Sequence, residues 1–284
     1  MRVLRTVAEV GEFTKTHRQE GRTVGFVPTM GALHEGHLSL MRAAVEHADV
    51  VLASIFVNPT QFGPNEDLDA YPRDDAGDLA KAEAAGCRAV FMPSVEVMYP
   101  PGAATTVAVP ALAQHLCGRS RPTHFAGVCQ VVLKLFNIVG CDVAVFGQKD
   151  YQQLAIIRRM VRDLNVPVKV IGHPIVRSPD GLALSSRNAY LSENQRREAL
   201  ALNQAVTQVG TAWREGERDP VRLRAVALHR IQAAEGARVD YVEIADPDDL
   251  SPLKGPVSGG ILVAAAVYFG STRLIDNGVF SADD

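Results

Sequence analysis

The sequence has no C-x-x-C pair, no apolar run of membrane-spanning length, no internal repeat and almost no net charge. Each absence removes a class of protein. Cys87, Cys117, Cys129 and Cys141 are scattered through globular stretches, so they read as reduced, buried small hydrophobes rather than zinc ligands or a disulfide framework. A membrane span needs about 20 consecutive apolar residues, and the charges in "MRVLRTVAEVGEFTKTHRQEG" interrupt any signal-peptide core. A soluble, cytoplasmic protein is expected. A net charge of −3 gives no field that would draw the chain onto nucleic acid or an anionic membrane, so neither is an expected partner.

What is present is 284 residues of 47% hydrophobic content, enough to fill two cores. Short runs rich in β-branched residues recur at 22–28, 50–59, 88–93, 142–147 and 168–176. Helical patterns follow the first and fourth of these: Leu38, Met41, Val45 and Ala48 share one face, as do Leu154, Ile157, Val161 and Leu164. The intervals between strands accommodate crossover helices, which predicts the α/β class and a Rossmann-like, doubly wound parallel sheet. In such a sheet ligands bind beyond the carboxyl ends of the strands, where strand order reverses.

The pattern changes near residue 177. Ser192 with Gln195 forms a capping-box signature and opens a long helix with Leu202, Val206, Val209 and Trp213 on one face. A second helix is predicted over 220–234, and 239–246 and 260–277 read as strands with a Gly-Ser turn near 270. Two domains are expected, a Rossmann-like one over 1–176 and a smaller α+β one over 177–284.

The strand ends of the first domain carry polar residues that a purely structural loop does not require. Thr29, Met30, His34 and His37 follow the first strand, Asn58 and Gln61 the second, Gln148, Lys149, Asp150 and Gln153 the fourth, and Arg177 with "LALSSRN" the fifth. Singly, each has a plain explanation: the histidines cap or pack, Lys149 and Asp150 form a solvated pair, the glutamines are surface amides and Ser185, Ser186 and Arg187 anchor a loop. Metal ligation is not expected, because H-E-G-H is one residue short of H-E-x-x-H and Gly36 marks a turn. Their shared location beyond carboxyl strand ends favours one ligand crevice. His37 at a helix start suits a phosphate, where free N–H groups and the helix dipole favour an anion.

The H-E-G-H turn resembles the H-x-G-H signature of the nucleotidylyltransferase superfamily that includes class I aminoacyl-tRNA synthetases, and "LSSRN" resembles its mobile second signature. The longer blocks "VPTMGALHEGH", "SIFVNPTQF", "DLDAYPR", "RPTHFAGV", "FGQKDYQQL" and "DGLALSSRNAYL" resemble the pantothenate synthetase (pantoate–β-alanine ligase) family. The similarity runs from about residue 22 to 192 and resumes at "LVAA" and "RLIDN".

The resemblance implies an ATP-dependent, two-step ligation in the first stages of coenzyme A biosynthesis. The carboxylate of (R)-pantoate attacks the α-phosphorus of ATP to give pantoyl adenylate and pyrophosphate. The amine of β-alanine then displaces AMP to give pantothenate. Residue by residue, it implies that Met30, Gly31, Ala32, Leu33, His34, Glu35, Gly36 and His37 line the ATP site, with the histidines against phosphate and His37 as proton donor. Gly147, Gln148, Lys149 and Asp150 continue that site, Lys149 towards phosphate and Asp150 towards ribose, and Val176, Leu184, Ser185, Ser186 and Arg187 complete it. Gln61 and Gln153 would contact pantoate, and Asn58 would hold the reacting centre. Mg2+ would enter with ATP, without a protein cage. The first domain would bind ATP and pantoate, the second would act as a lid, and the chain would form a homodimer. Two positions depart from the family pattern: Gln148 stands where Glu is common, and Cys117 where an acidic residue is frequent. Two other functions use the same crevice, adenylyl transfer to a phosphorylated acceptor and nucleotide binding without catalysis. Gln61 and Gln153 argue for a small polar acceptor against the first, and the intact His34, His37, Lys149 and Arg187 argue against the second.

Overall fold

The computed structural model describes residues 1–64, 66 and 68–283; Asp67, the first residue of the "DLDAYPR" block, lies outside them. In chain order the elements are β1 (Arg2–Leu4), α1 (Val7–Gln19), β2 (Val24–Thr29), α2 (Glu35–His47), β3 (Val50–Ile55), α3 (Asp75–Ala84), β4 (Ala89–Phe91), and three four-residue helices, α4 (Val95–Met98), α5 (Pro110–Ala113) and α6 (Cys117–Ser120). They continue with α7 (His124–Val139), β5 (Val143–Gly147), α8 (Tyr151–Asp163), β6 (Lys169–His173), α9 (Glu193–Arg214), α10 (Pro220–Gln232), β7 (Ala237–Ala245), β8 (Ile261–Phe269) and β9 (Thr272–Phe280). Two compact units result. One comprises Met1–Pro110, Arg121–Gln148 and Ile156–Pro174; the other comprises Ala111–Ser120, Lys149–Ala155 and the chain from Ile175 onward. Two short segments from within 1–176 therefore group with the C-terminal part of the chain.

The first unit is an α/β sheet of six parallel strands in the order β1-β4-β3-β2-β5-β6. From β2 the chain winds outward through β3 to β4, then returns to place β5 and β6 on the other side of β2. Strand order thus reverses between β2 and β5, the crevice position of such folds. Adjacent strand residues face opposite sides, and β2 shows both layers. Val27 packs with Met41 and Ala44 of α2 and Ala82 of α3, while Phe26 meets the ring of Phe136 in α7 edge-on, with centroids 6.5 Å apart. The five anticipated strands are all present, shorter than the apolar runs that signalled them. β1 at the edge was not anticipated. On the helical faces, Met41, Leu154 and Ile157 are buried as expected, whereas Val45 is 46% and Leu164 52% exposed. Ala43 and Ala44 take the core position assigned to Val45, and Leu164 lies beyond the end of α8.

The second unit is α+β. Its antiparallel sheet has the order β7-β8-β9, and β8 turns into β9 through two residues, Gly270 and Ser271, with Gly270 at φ 62°. That positive φ suits the primed turns whose twist matches a hairpin. Helix α9 opens as its sequence signals, with Ser192 Oγ accepting from Gln195 N at 3.3 Å and Gln195 Oε1 accepting from Ser192 N at 2.9 Å. Leu202, Val206, Val209 and Trp213 are all buried, in one core with Val242, Val263 and Val267 of the sheet. Burying each such side chain contributes roughly 1.5–3 kcal/mol.

Cys87, Cys129 and Cys141 are buried, and burial pushes their thiols up to about 12, 11 and 12 respectively. They remain protonated and unreactive at neutral pH. Cys117 is only half-buried, contrary to the expectation for all four. Among the described residues no helix is long and apolar enough to cross a membrane.

Candidate active site

At the carboxyl end of β2, Thr29 Oγ1 donates to Ser54 O at 2.7 Å and accepts from Gly31 N at 3.3 Å, which starts the turn into α2. His34 is the N-cap of α2, with an extended backbone. Its Nδ1 accepts from Gly36 N at 3.1 Å, and the Nδ1 of His37 accepts from His34 N at 3.3 Å. The pair forms the reciprocal cap usually built from Ser or Thr with Glu or Gln. An imidazole nitrogen that accepts an N–H carries no proton, so each neutral ring holds its proton on Nε2. The rings lie 4.1 Å apart between centroids, and present two Nε2–H donors at a helix N-terminus. Capping and phosphate recognition are therefore compatible, because they use opposite sides of each ring. The carboxylate of Glu35 pairs with Arg42, Oε1 to Nη1 at 2.6 Å and Oε2 to Nη2 at 3.1 Å, and this hydrogen-bonded guanidinium lowers the Glu35 pKa.

Beyond β3, Asn58 caps the short turn Pro59–Gln61 and is 1% exposed. Its Oδ1 accepts from Tyr99 OH at 2.8 Å and Thr60 Oγ1 at 3.0 Å, and its Nδ2 donates to Gln61 Oε1 at 3.0 Å and Gly127 O at 3.2 Å. With its oxygen accepting from Asn58, Gln61 presents its amide NH2, which lies 3.2 Å from Met30 Sδ. The carbonyl of Gln61 accepts from Arg121 Nη2 at 3.3 Å and lies 2.9 Å from His124 Nδ1. Arg121 also grips Glu66, with Nε to Oε1 at 2.6 Å. Burial pushes the Glu66 carboxyl up, but the hydrogen bond and charge of Arg121 outweigh it and hold the pKa down. The "RPTHFAGV" block is thus the bracket behind Gln61.

In the second unit, Lys149 Nζ stands 3.8 Å from Asp150 Oδ2, and the backbone carbonyl of Lys149 accepts from Asn277 Nδ2 at 2.7 Å. The Gln152–Gln153 doublet divides its work. Gln152 is buried, donating to Leu112 O at 3.0 Å and His115 O at 2.7 Å while accepting from Cys117 N at 3.0 Å. Gln153 is half-buried. Val176 O accepts from Leu184 N at 3.0 Å, and Arg177 pairs with Ala183 in a β-bridge. Ser185 then caps the turn Ser186–Tyr190 by accepting from Arg187 N at 3.3 Å. Arg177 donates through both terminal nitrogens to Asp276, at 2.6 and 2.8 Å. The serine-arginine segment is therefore tied by hydrogen bonds to residues of its own unit.

A family profile described as pantoate-beta-alanine ligase matches residues 2–279. The chain belongs to the pantoate–β-alanine ligase family. It is 54% identical over 279 residues to the pantothenate synthetase of Pelotomaculum thermopropionicum, covering 98% of this chain and 99% of that one. It is also 54% identical over 284 residues to that of Moorella thermoacetica, covering all of both. The crystal structure of pantothenate synthetase from Thermus thermophilus superposes with a TM-score of 0.91 at 45% identity, covering 98% of this chain and 99% of that one. The pantoate-beta-alanine ligase of Francisella tularensis, solved in complex with beta-gamma ATP and beta-alanine, gives a TM-score of 0.79 at 32% identity, with 100% and 98% covered. By this membership the chain is a ligase that joins pantoate to β-alanine.

The first unit holds Met30, Gly31, Ala32, Leu33, His34, Glu35, Gly36, His37, Asn58, Gln61, Gly147 and Gln148; the second holds Lys149, Asp150, Gln153, Val176, Leu184, Ser185, Ser186 and Arg187. Sequence reasoning missed Tyr99, which fixes Asn58, and the role of Gly127. A Cβ at Gly127 would lie 2.4 Å from Thr60 O and 2.7 Å from Gln61 N, both backbone atoms that cannot swing aside. Gly127→Ala is expected to cost about 2 kcal/mol or more of stability. If Gln61 contacts pantoate, as the family resemblance implies, the substitution should also raise the KM for pantoate while leaving ATP affinity near wild type. Thermal melts with the two titrations check this; an unchanged pantoate KM in a folded variant would show that the turn does not transmit the strain to Gln61.

Proposed function

We propose that the ligation runs in this chain through ATP-dependent activation of (R)-pantoate to a bound pantoyl adenylate, captured by β-alanine to give pantothenate and AMP. The observation that carries it is the reciprocal cap of His34 and His37, which occupies Nδ1 of both rings and leaves Nε2–H as their donor, at the start of the helix that follows β2 beside the strand-order reversal. In the first step a pantoate carboxylate oxygen bonds to the α-phosphorus and the bond to the bridging oxygen of pyrophosphate breaks. Negative charge grows on the α-phosphoryl oxygens and the leaving group, where fixed donors stabilise it. In the second, the neutral amine of β-alanine attacks the acyl carbon, the acyl–oxygen bond breaks, AMP leaves with the bonding pair and the nitrogen gives up one proton to water.

In this reading Met30, Gly31, Ala32, Leu33, Glu35 and Gly36 contact the nucleotide, and so do Gly147, Gln148, Val176 and Leu184. His34, His37, Lys149, Ser185, Ser186 and Arg187 meet the phosphates, and Asp150 the ribose. Gln61 and Gln153 donate to pantoate oxygens, with Asn58 fixing the Gln61 amide. ATP is taken as its Mg2+ complex. Phosphate oxygens and water would be the ligands of that ion, as is usual for Mg2+ carried on a nucleotide. A cytoplasmic homodimer is part of the proposal on family grounds, and analytical ultracentrifugation checks the mass in solution. The decisive experiment mixes enzyme, ATP and pantoate with β-alanine withheld. Stoichiometric pyrophosphate release supports the adenylate route, and its absence until β-alanine is added overturns it.

The second unit is further proposed to act as a lid that excludes water from the mixed anhydride. Arg187→Ala is then expected to increase the AMP formed per pantothenate, because adenylate is lost to hydrolysis before capture. A ratio equal to wild type would remove the lid role and leave the ligation intact.

A further inference from the structure

The turn into α2 contains a conformation that the turn itself does not explain. Gly31 and Ala32 stand at φ 84° and 51°. For glycine this is ordinary, but an alanine held in the left-handed region persists only where its surroundings impose it. The surroundings here are α3. Asp78, 1% exposed, accepts from Ala32 N through Oδ2 and from Leu33 N through Oδ1, both at 2.7 Å. One helical turn later, Lys81 donates from Nζ to Leu33 O at 3.0 Å and stands 3.8 Å from Asp78 Oδ1. Gly31 permits this approach, since a Cβ there would lie 3.0 Å from Asp78 Oδ2. Two residues three apart on a helix share a face, so Leu33 is gripped at both its N–H and its C=O from one side.

The next residue is His34. We propose that Asp78 and Lys81 are positioning residues for the ligase reaction, clamping the turn so that the rings of His34 and His37 hold their reciprocal cap and aim Nε2–H at the nucleotide phosphates. The inference rests on the reading of these histidines as phosphate donors. A buried carboxylate needs partners in any fold, but here the partners are the peptide groups immediately before the N-cap. Releasing either peptide lets Ala32 relax and moves His34, and a displacement of about 1 Å at a catalytic group can lower a rate about 100-fold.

The test compares Asp78→Asn, Lys81→Met and Lys81→Arg. Asn turns one of the two acceptors into an NH2 facing an N–H, Met keeps the Lys81 stem without its donor, and Arg restores a donor. Rates of pantoate-dependent pyrophosphate release, melting curves and the 15N–1H spectrum of the histidine rings are recorded where circular dichroism shows the native fold. Asp78→Asn is expected to lose about 100-fold in kcat, with the pantoate KM within about twofold of wild type. Lys81→Met should show a smaller loss of kcat that Lys81→Arg largely recovers. The ring spectrum of Asp78→Asn should lose the shared pattern of bare Nδ1 and protonated Nε2. Lys81 is 42% exposed at its side chain, so Lys81→Met carries the test should Asp78→Asn fail to fold. Folded variants with wild-type kcat and ring spectra overturn the clamp. His34→Asn, assayed alongside, separates the two ideas: an active His34→Asn together with altered rings in Asp78→Asn retains the clamp and defeats the phosphate-donor reading, whereas an inactive His34→Asn with unaffected clamp variants does the reverse.

Discussion

Replacing His34 by Asn or His37 by Gln is expected to slow pantoate-dependent pyrophosphate release by about 100-fold or more while leaving the melting temperature close to wild type. The two substitutions are chosen from the cap geometry. Asn is among the best N-cap residues, and Gln at the third helical position is the usual reciprocal partner. Each variant can therefore keep the backbone N–H bonds now made by Nδ1, at 3.1 Å from Gly36 N and 3.3 Å from His34 N, while removing the Nε2–H donor. Alanine at the same positions would mix two effects, since losing the cap alone costs about 1 kcal/mol of stability. The loss assigned to one transition-state donor is roughly 3 kcal/mol, and every ~1.36 kcal/mol is tenfold in rate. Stable variants that release pyrophosphate at near wild-type rates would leave the histidines as helix caps and nothing more.

Gln61→Glu should abolish pantoate use and spare ATP binding. The substitution is isosteric, and the remaining oxygen can still accept from Asn58 Nδ2, now at 3.0 Å from Oε1. What changes is the other arm. An NH2 donor becomes a carboxylate oxygen in a buried position, and in the proposed site it would face a substrate that is itself a carboxylate. Losing a hydrogen bond to a charged group costs about 1.5–3 kcal/mol, and like-charge repulsion adds to it, so kcat/KM for pantoate should fall by at least roughly 100-fold. The network predicts a graded companion. Tyr99→Phe removes one of the donors that fix the Asn58 amide, and should raise the pantoate KM by a smaller factor. Steady-state titration of pantoate at saturating ATP, with ATP affinity measured separately, reads both effects. A Gln61→Glu enzyme with wild-type pantoate kinetics would remove Gln61 from the acceptor site.

How much of this is legible in the sequence depends on whether the signal is local. Helix α9 is legible because one face is apolar, one is polar, and its cap lies within four residues. The parallel strands are legible as apolar runs bounded by turns. Helix α7 is not, for the opposite reason: Phe125, Val128, Cys129, Val131, Val132, Leu135, Phe136 and Val139 are all buried, so the segment lacks the polar stripe that makes a 3.6-residue period visible. Strand β1 is three residues long at a sheet edge, too short for alternation to show. At the site, strand-end position is enough to single out His34, His37, Asn58 and Gln61. It cannot reveal Asp78, Tyr99 or Gly127, whose contacts with that group span dozens of residues and leave no periodic trace. The Gln152–Gln153 doublet lies between these cases, because sequence singles out the pair's neighbourhood and only geometry separates the buried anchor from its neighbour.

The interleaving of the two units along the chain carries a consequence for biogenesis. The C-terminal sheet and helices are completed by residues synthesised much earlier: Asp240 accepts from Ser120, Glu243 from Arg119, Pro247 O from Tyr151, and Lys149 O from Asn277. During translation the segments 111–120 and 149–155 must wait for partners that emerge only near the end of synthesis, so their capture closes long chain loops late. A fragment beginning at residue 177 would contain all of β7, β8 and β9 yet lack both straps, and should be less stable than the same sequence in the intact chain. Limited proteolysis between the straps and the C-terminal sheet would then yield a nicked species held together without a covalent link, rather than two separable halves.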